Sequence, residues 1–248
     1  MSYKKSPASG WDDVASWYDG WVGKRGSDHH QKLAIPALLD NLTLTDKTTL
    51  LDIGCGTGVL APYVHKTGAT YTGIDIAPRL IKTAKQYHGA SGKFHIGDAR
   101  NLVRHVALSS FDVCTFLLSI QDMNPLAPIF EGVSKILKPD GSVVLLLVHP
   151  CFRIPRQSGW GYEKDRKLQY RRIDRYLSPL KIPMKQHKRG TTISFHRPLS
   201  EYINTLGRYG LLVDKLDEIT TYEDGKNKAE RRANDEIPLF MLIRARKG

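Results

Sequence analysis

The chain has 248 residues and a formal net charge of +12, with 41% hydrophobic and 25% charged residues. That is enough for one large domain with a substantial core, so no staple is required. Its three cysteines, Cys55, Cys114 and Cys151, are odd in number and widely scattered, which argues against a disulfide framework and a thiolate zinc site and points to a reducing compartment. The N-terminus lacks the apolar stretch of a signal peptide, and no run approaches the roughly 18 apolar residues of a spanning helix. The expectation is a soluble, cytoplasmic protein with no membrane partner.

Residues 11 to 40 carry aromatic and aliphatic side chains at helical spacing on both sides of a polar break at Gly23 to Ser27, which predicts two helices in a cap over residues 1–45. TTLLDIG is an apolar run bounded by glycine and too brief for a helix, so it reads as a buried strand. VLAPYVHKTG follows as a helix with Pro62 in its first turn and Gly68 at its end. The alternation continues through strand ATYTGIDIA, helix RLIKTAKQYH, extended GKFHIGDA, strand FDVCTFLLS, a helix LAPIFEGVSKILKPDG ended by Pro139 and Gly141, and strand SVVLLLVHP. Strands apolar on both faces belong in a parallel sheet covered by helices. After residue 198, helix LSEYINTLGRYG, strand LLVDKLDEIT and strand PLFMLIRARK complete the pattern. The expected fold is α/β: a Rossmann-like, doubly wound, mostly parallel seven-stranded sheet with an antiparallel last strand. Its core covers residues 46–150 and is completed by 199–248.

Residues 151–198 break this rhythm. Thirteen Lys and Arg stand there against three acids, so most of the net charge lies in one segment. It has too little apolar content for its own core, yet it carries Phe152, Trp160, Tyr162, Tyr170, Tyr176 and Phe195. It leaves the carboxyl end of a strand, where open α/β sheets bind ligands, and reads as a lid or substrate-recognition insertion. Its charge admits three readings: a clamp for an acidic substrate, an RNA surface with interleaved aromatics, or a solvated surface.

LDIGCGTG, residues 51–58, places three glycines in five positions after the first strand. Glycines there let the backbone turn tightly and let a ligand approach main-chain N–H groups. The dinucleotide fingerprint GxGxxG is not met, since Val59 and Leu60 follow Gly58. The stretch resembles the first motif of the class I S-adenosylmethionine-dependent methyltransferases, D/E-x-G-x-G-x-G, and the similarity runs in order through most of residues 10–150. The resemblance implies S-adenosyl-L-methionine as cofactor, with S-adenosyl-L-homocysteine as product. It implies that the loop, with Asp52, Gly54, Cys55, Gly56 and Gly58, wraps the methionine part, and that Asp75, followed by Ile76, holds the ribose hydroxyls. Asp98 and Ala99 of GDA would contact adenine. Ser119 and Ile120 after the fourth strand would line the cofactor, and Gln121, Asp122 and Met123 would face cofactor or substrate. For Asp122 an ordinary helix cap is the alternative. Tyr18 in ASWYDGWVGKRG would reach the methionine carboxylate or pack in an aromatic stripe with Trp17 and Trp21.

Methyl transfer needs alignment, and needs a base only when the nucleophile holds a proton of high pKa. His149 at the end of the fifth strand is the catalytic candidate and a substrate contact; the alternative is a histidine satisfied by its own loop. Trp160, Tyr162, His196 and Arg197 of the insertion are further substrate contacts. His29 and His30 are adjacent and offer no ligand spacing, so no metal is expected and a surface or capping role is the better reading. The expectation is therefore a small-molecule methyltransferase acting on O, N or C of an acidic or aromatic metabolite. An RNA methyltransferase using the basic insertion is the alternative, and a non-catalytic cofactor-binding regulator is a third class. Oligomeric state is not readable.

Overall fold

The computed structural model describes residues 10–185 and 190–248. The first nine residues of the cap, and residues 186–189 of the insertion with Lys188 and Arg189, lie outside them. Helix α1 (Ala15–Val22) is followed by a π-helical turn, His30–Ala34, that runs into α2 (Ile35–Leu39). The core then alternates: β1 (Thr49–Ile53), α3 (Ala61–His65), β2 (Thr70–Asp75), α4 (Pro78–His88), β3 (Lys93–Ile96), a 3-10 stretch Ala99–Arg104, β4 (Phe111–Leu117), a 3-10 turn Ile120–Asp122, α5 (Leu126–Ile136) and β5 (Leu137–Val148). Two hairpins follow, β6 (Ser158–Glu163) with β7 (Leu168–Ile173), and β8 (Leu180–Lys185) with β9 (Thr191–His196). The chain closes with α6 (Leu199–Arg208), β10 (Leu211–Ile219), α7 (Lys228–Glu236) and β11 (Phe240–Lys247).

One seven-stranded sheet has the order β10-β11-β5-β4-β1-β2-β3. It is parallel except for β11, which lies antiparallel between β10 and β5. The strands are apolar on both faces because both are covered. In β5, Val143, Leu145 and Leu147 pack with Phe116, Phe130 and Tyr202 on one side, while Val144 and Leu146 pack with Leu50, Val113 and Leu117 on the other. Strand order reverses between β1 and β4, which leaves a crevice at the carboxyl ends of the parallel strands.

Two elements depart from expectation. The helix before β5 ends at Ile136, and Leu137 already has extended geometry (ψ 137°). Proline two residues on cannot donate to a helix, and the residue before it is pushed towards extended backbone, so the strand starts earlier. The insertion, for which no elements were predicted, is built of two antiparallel hairpins, and α7 was not foreseen; it is capped by Asn227, whose side chain accepts from Glu230 N. Among the described residues no helix is long and apolar enough to cross a membrane.

Candidate active site

The loop after β1 is fixed to β2 before any ligand is considered. Gly54 N and Cys55 N both donate to Ile74 O, at 2.8 and 3.1 Å. Asp75 then ties the loop down: its Oδ2 accepts from Gly56 N and its Oδ1 from Ala77 N, each at 2.9 Å. Burial raises the Asp75 pKa, with these amides opposing the shift. Gly54, Gly56 and Gly58 all have positive φ, at 74°, 54° and 77°. A Cβ on Gly56 would lie 3.3 Å from the Tyr18 ring, whereas one on Gly54 would strike Ser119 Cβ and Met123 Cε at 2.6 Å.

These groups line a cavity of ≈ 330 Å³ at the carboxyl ends of β1, β2, β3 and β4. Tyr18, Gly54, Gly56, Asp75, Ile76, Asp98, Ala99, Ser119 and Asp122 all contribute to its wall. The carboxylate of Asp75 retains acceptor capacity beyond its two amide bonds, which suits a pair of ribose hydroxyls. Asp98 is differently placed: its carboxylate is chelated by Arg100, with Nη2 at 2.5 Å from Oδ2 and Nε at 3.0 Å from each oxygen. Burial costs the carboxylate, but the Arg100 bonds outweigh it and its pKa is lowered. Leu80, Leu118, Met123, Ile129 and Phe195 supply the apolar surface. A buried acceptor, side-chain-free loop and apolar slot fit a nucleoside linked to a small zwitterion.

A second cavity, of ≈ 410 Å³, abuts the first and shares Trp11, Tyr18, Leu118, Asp122 and Phe195 with it. Its wall is aromatic, with Trp17, Trp21, Tyr202 and Phe240, and it includes Gln121, His29, His30, Arg153, His196 and Arg197. Trp17 and Trp21 stack at 6.0 Å because they lie four residues apart on α1. His30 is buried, with Nδ1 2.8 Å from Ser27 Oγ, and burial first, then His29, drives its pKa down to about 4. It is not the surface residue expected. Arg197 is also buried; its Nη2 donates to Met123 O and Asn124 Oδ1, and its Nε lies 3.2 Å from Glu201. It therefore holds the turn after β4 against the start of α6.

The family model described as a methyltransferase domain matches residues 51–145. The chain is 30% identical over 158 residues to the biotin biosynthesis bifunctional protein BioHC of Cellvibrio japonicus, covering 63% of this chain and 30% of that protein. It is 27% identical over 157 residues to a ubiquinone biosynthesis O-methyltransferase of Xanthomonas oryzae pv. oryzae, covering 58% of this chain and 65% of the relative. The chain thus spans less than two thirds of the length of each. An S-adenosylmethionine-dependent methyltransferase from Mesorhizobium loti superposes with a TM-score of 0.69 at 26% identity, over 85% of this chain and 96% of that one. Residues 51–145 thus match a methyltransferase domain, and the chain is similar in sequence and fold to S-adenosylmethionine-dependent methyltransferases.

Several expected site residues lie elsewhere. Asp52 is buried beneath the loop, accepting from Tyr71 OH at 2.8 Å and Thr115 Oγ1 at 3.1 Å; burial lifts its pKa to about 6. Cys55 packs towards β2, where its Sγ would lie 2.8 Å from a Cβ on Gly73, and Gly58 faces Phe94. Ile120 is in the core. None of these four lines either cavity. His149 is fully buried with both ring nitrogens engaged: Nε2 is 2.8 Å from Glu218 Oε1, and Nδ1 accepts from Cys151 N at 3.2 Å. It joins the end of β5 to β10 and lines neither cavity, because strand-end position alone does not set side-chain direction. Trp160 and Tyr162 are exposed on the outer hairpin, away from both. His196 does reach the second cavity, with Nε2 2.7 Å from Tyr176 O.

The sequence reading missed Trp11, Ile193 and Phe195 as walls of the first cavity, and Arg153, Ser194 and Tyr202 as walls of the second. In β9 the signal existed: Thr192, Ser194 and His196 are buried while Ile193 and Phe195 are half-buried, a period of two through TTISFH.

Proposed function

We propose that this chain transfers a methyl group from S-adenosylmethionine to a small aromatic acceptor. The observation that carries the reading is the pair of contiguous cavities: one bears the glycine loop and Asp75, and the other is an aromatic-walled cavity of metabolite size. In the first, Gly54, Gly56, Tyr18 and Ser119 would hold the methionine part, Asp75 the ribose and Ile76, Asp98 and Ala99 the adenine. Bound there, S-adenosylmethionine supplies an electrophilic methyl group. The chain's own residues align the acceptor against it and keep water out, through Trp11, Tyr18, Leu118 and Phe195 in the shared wall.

Arg153 supports an anionic substituent on the acceptor. It lines the second cavity, lies 5.1 Å from the Trp160 ring beside Arg171, and pairs with no carboxylate among the described residues. Burial first, then Arg171, lowers its pKa to about 10, as expected of a cation held without a counter-charge. The relatives named for ubiquinone and biotin biosynthesis are consistent with a small acceptor. The RNA reading has only exposed cations behind it: Lys164, Arg166, Lys167, Arg172 and Arg175 face solvent on the β6–β7 side.

Calorimetric titration with S-adenosylhomocysteine and, separately, with NAD tests the assignment. The expected result is binding of the former alone. Binding of neither overturns the methyltransferase reading and favours a regulator with a degenerate pocket.

A further inference from the structure

One carboxyl group stands in the wall common to both cavities. Asp122 closes the 3-10 turn after β4, and the other shared residues are Trp11, Tyr18, Leu118 and Phe195, so it is the sole carboxylate among them. Ser194 of β9 hydrogen-bonds to it, and the Arg197 guanidinium lies near. Beside it, Gln121 donates from Nε2 to Leu118 O at 2.5 Å, which leaves its buried Oε1 without a hydrogen-bond partner. A proton donor entering the second cavity therefore meets two acceptors, one of them anionic when ionised.

We propose that Asp122 is the general base that takes the proton from a hydroxyl group of an aromatic acceptor seated in the second cavity. This rests on the methyltransferase reading above. The acceptor's O–H bond breaks and its proton passes to a carboxylate oxygen of Asp122. The oxygen forms a bond to the methyl carbon as the donor's carbon–sulfur bond breaks, the electron pair staying on sulfur, and the proton later leaves to solvent. An ammonium-bearing acceptor is disfavoured, because Arg153 and Arg197 line the same chamber.

The groups facing Asp122 leave it free for this role. Tyr18 of α1 and Tyr202 of α6 are held protonated, both by burial first. Asp75, Asp98, Arg100 and Lys181 complete the ionisable lining of the first cavity; His29, His30, Arg153, His196 and Arg197 complete that of the second. Of the histidines, His30 is held neutral but borders only the second cavity, with Nδ1 committed to Ser27. Burial pushes Asp122 up to about 7 against the hydrogen bond from Ser194 and the charge of Arg197, which places the base near working pH.

Two measurements on the whole protein test the proposal. Carbon-13 NMR of protein labelled at aspartate, with Asp122→Asn supplying the assignment, is expected to give a titration midpoint near 7 in the presence of S-adenosylhomocysteine. A midpoint in the usual carboxylate range, about 4, overturns the proposal. Tritium transfer from labelled S-adenosylmethionine is then followed with 3,4-dihydroxybenzoate as probe. Asp122→Asn should lower kcat about 100-fold or more, leave KM for the probe within about threefold and remove the acidic limb near pH 7, with Asp122→Glu restoring part of the rate. A wild-type rate and pH profile in Asp122→Asn overturns the role of Asp122. Calorimetry with S-adenosylhomocysteine separates the two levels: binding retained with an unaffected rate removes only this role, whereas no binding by the wild-type protein removes the methyltransferase reading beneath it.

Discussion

Gly56 and Gly58 share a positive φ, yet their missing Cβ atoms serve different ends. At Gly56 a Cβ would press against the Tyr18 ring at 3.3 Å, on the cavity wall; at Gly58 a Cβ would sit 2.6 Å from Phe94, inside the packing between β3 and α4. Gly58→Ala should therefore destabilise the fold by about 1–3 kcal/mol, from left-handed strain and overpacking, and thermal unfolding reads it directly. Gly56→Ala should weaken S-adenosylhomocysteine binding beyond any loss of stability. Asp75→Ala removes the buried acceptor and frees two loop amides, so affinity should fall by about 1–3 kcal/mol in the same titration. Unchanged affinity in Asp75→Ala would displace the ribose from this carboxylate. The loop was legible because each glycine follows a strand end in a fixed order. What spacing did not convey is that Gly54 and Gly58 are required by protein side chains, which only the packed fold reveals.

Among the elements, the parallel strands were the most legible. Burial on both faces leaves no polar position to disguise them, and every one of LLDI, YTGID, VCTFL and VVLLLV occurs where its apolar run stands. The hairpins of the insertion were not, for a physical reason. β6 and β7 lie on the surface with mostly exposed or half-buried residues, so their sequences show no core-facing period. The inner hairpin β8–β9 forms cavity wall and is tied to the body through Arg197, whose partners Met123, Asn124 and Glu201 lie on the turn after β4 and on α6. Arg197→Met should leave Asn124 and the Met123 carbonyl without their donor and cost about 2–4 kcal/mol in chemical denaturation. Because Arg197 also lies beside Asp122, the same change should raise the Asp122 pKa further. A loss below about 0.5 kcal/mol would mean that the turn holds without this residue.

For the whole molecule, the charge excess of the insertion resolves into exposed cations, the half-buried pair Arg153 and Arg171, and the buried Arg197. Composition located the excess but could not sort it, since sorting depends on which hairpin face meets the body. Buried titratable groups divide in the same way into two opposing responses to acid. His30, His88, His149 and His196 all have pKa values lowered chiefly by burial, so each favours the fold above its unfolded pKa and loses that contribution as pH falls. Asp52 and Asp122 are raised to about 6 and about 7, and so take up protons in the fold before the unfolded chain does, which stabilises it between about pH 7 and 4. The two sets act in opposite directions as pH falls. Removing one member exposes its share. For His30, about 4 in the fold against the ordinary 6.5 corresponds to about 3 kcal/mol, lost progressively as pH falls from 6.5 to about 4. Urea unfolding of His30→Gln beside the wild-type protein should therefore give a stability difference that shifts in favour of the variant by about 2 kcal/mol between pH 7.5 and 5. The variant's constant offset, from losing the Ser27 hydrogen bond, cancels in that comparison. Equal slopes for the two proteins would show that His30 titrates in the fold as it does in the unfolded chain, and that the second cavity admits water to its imidazole.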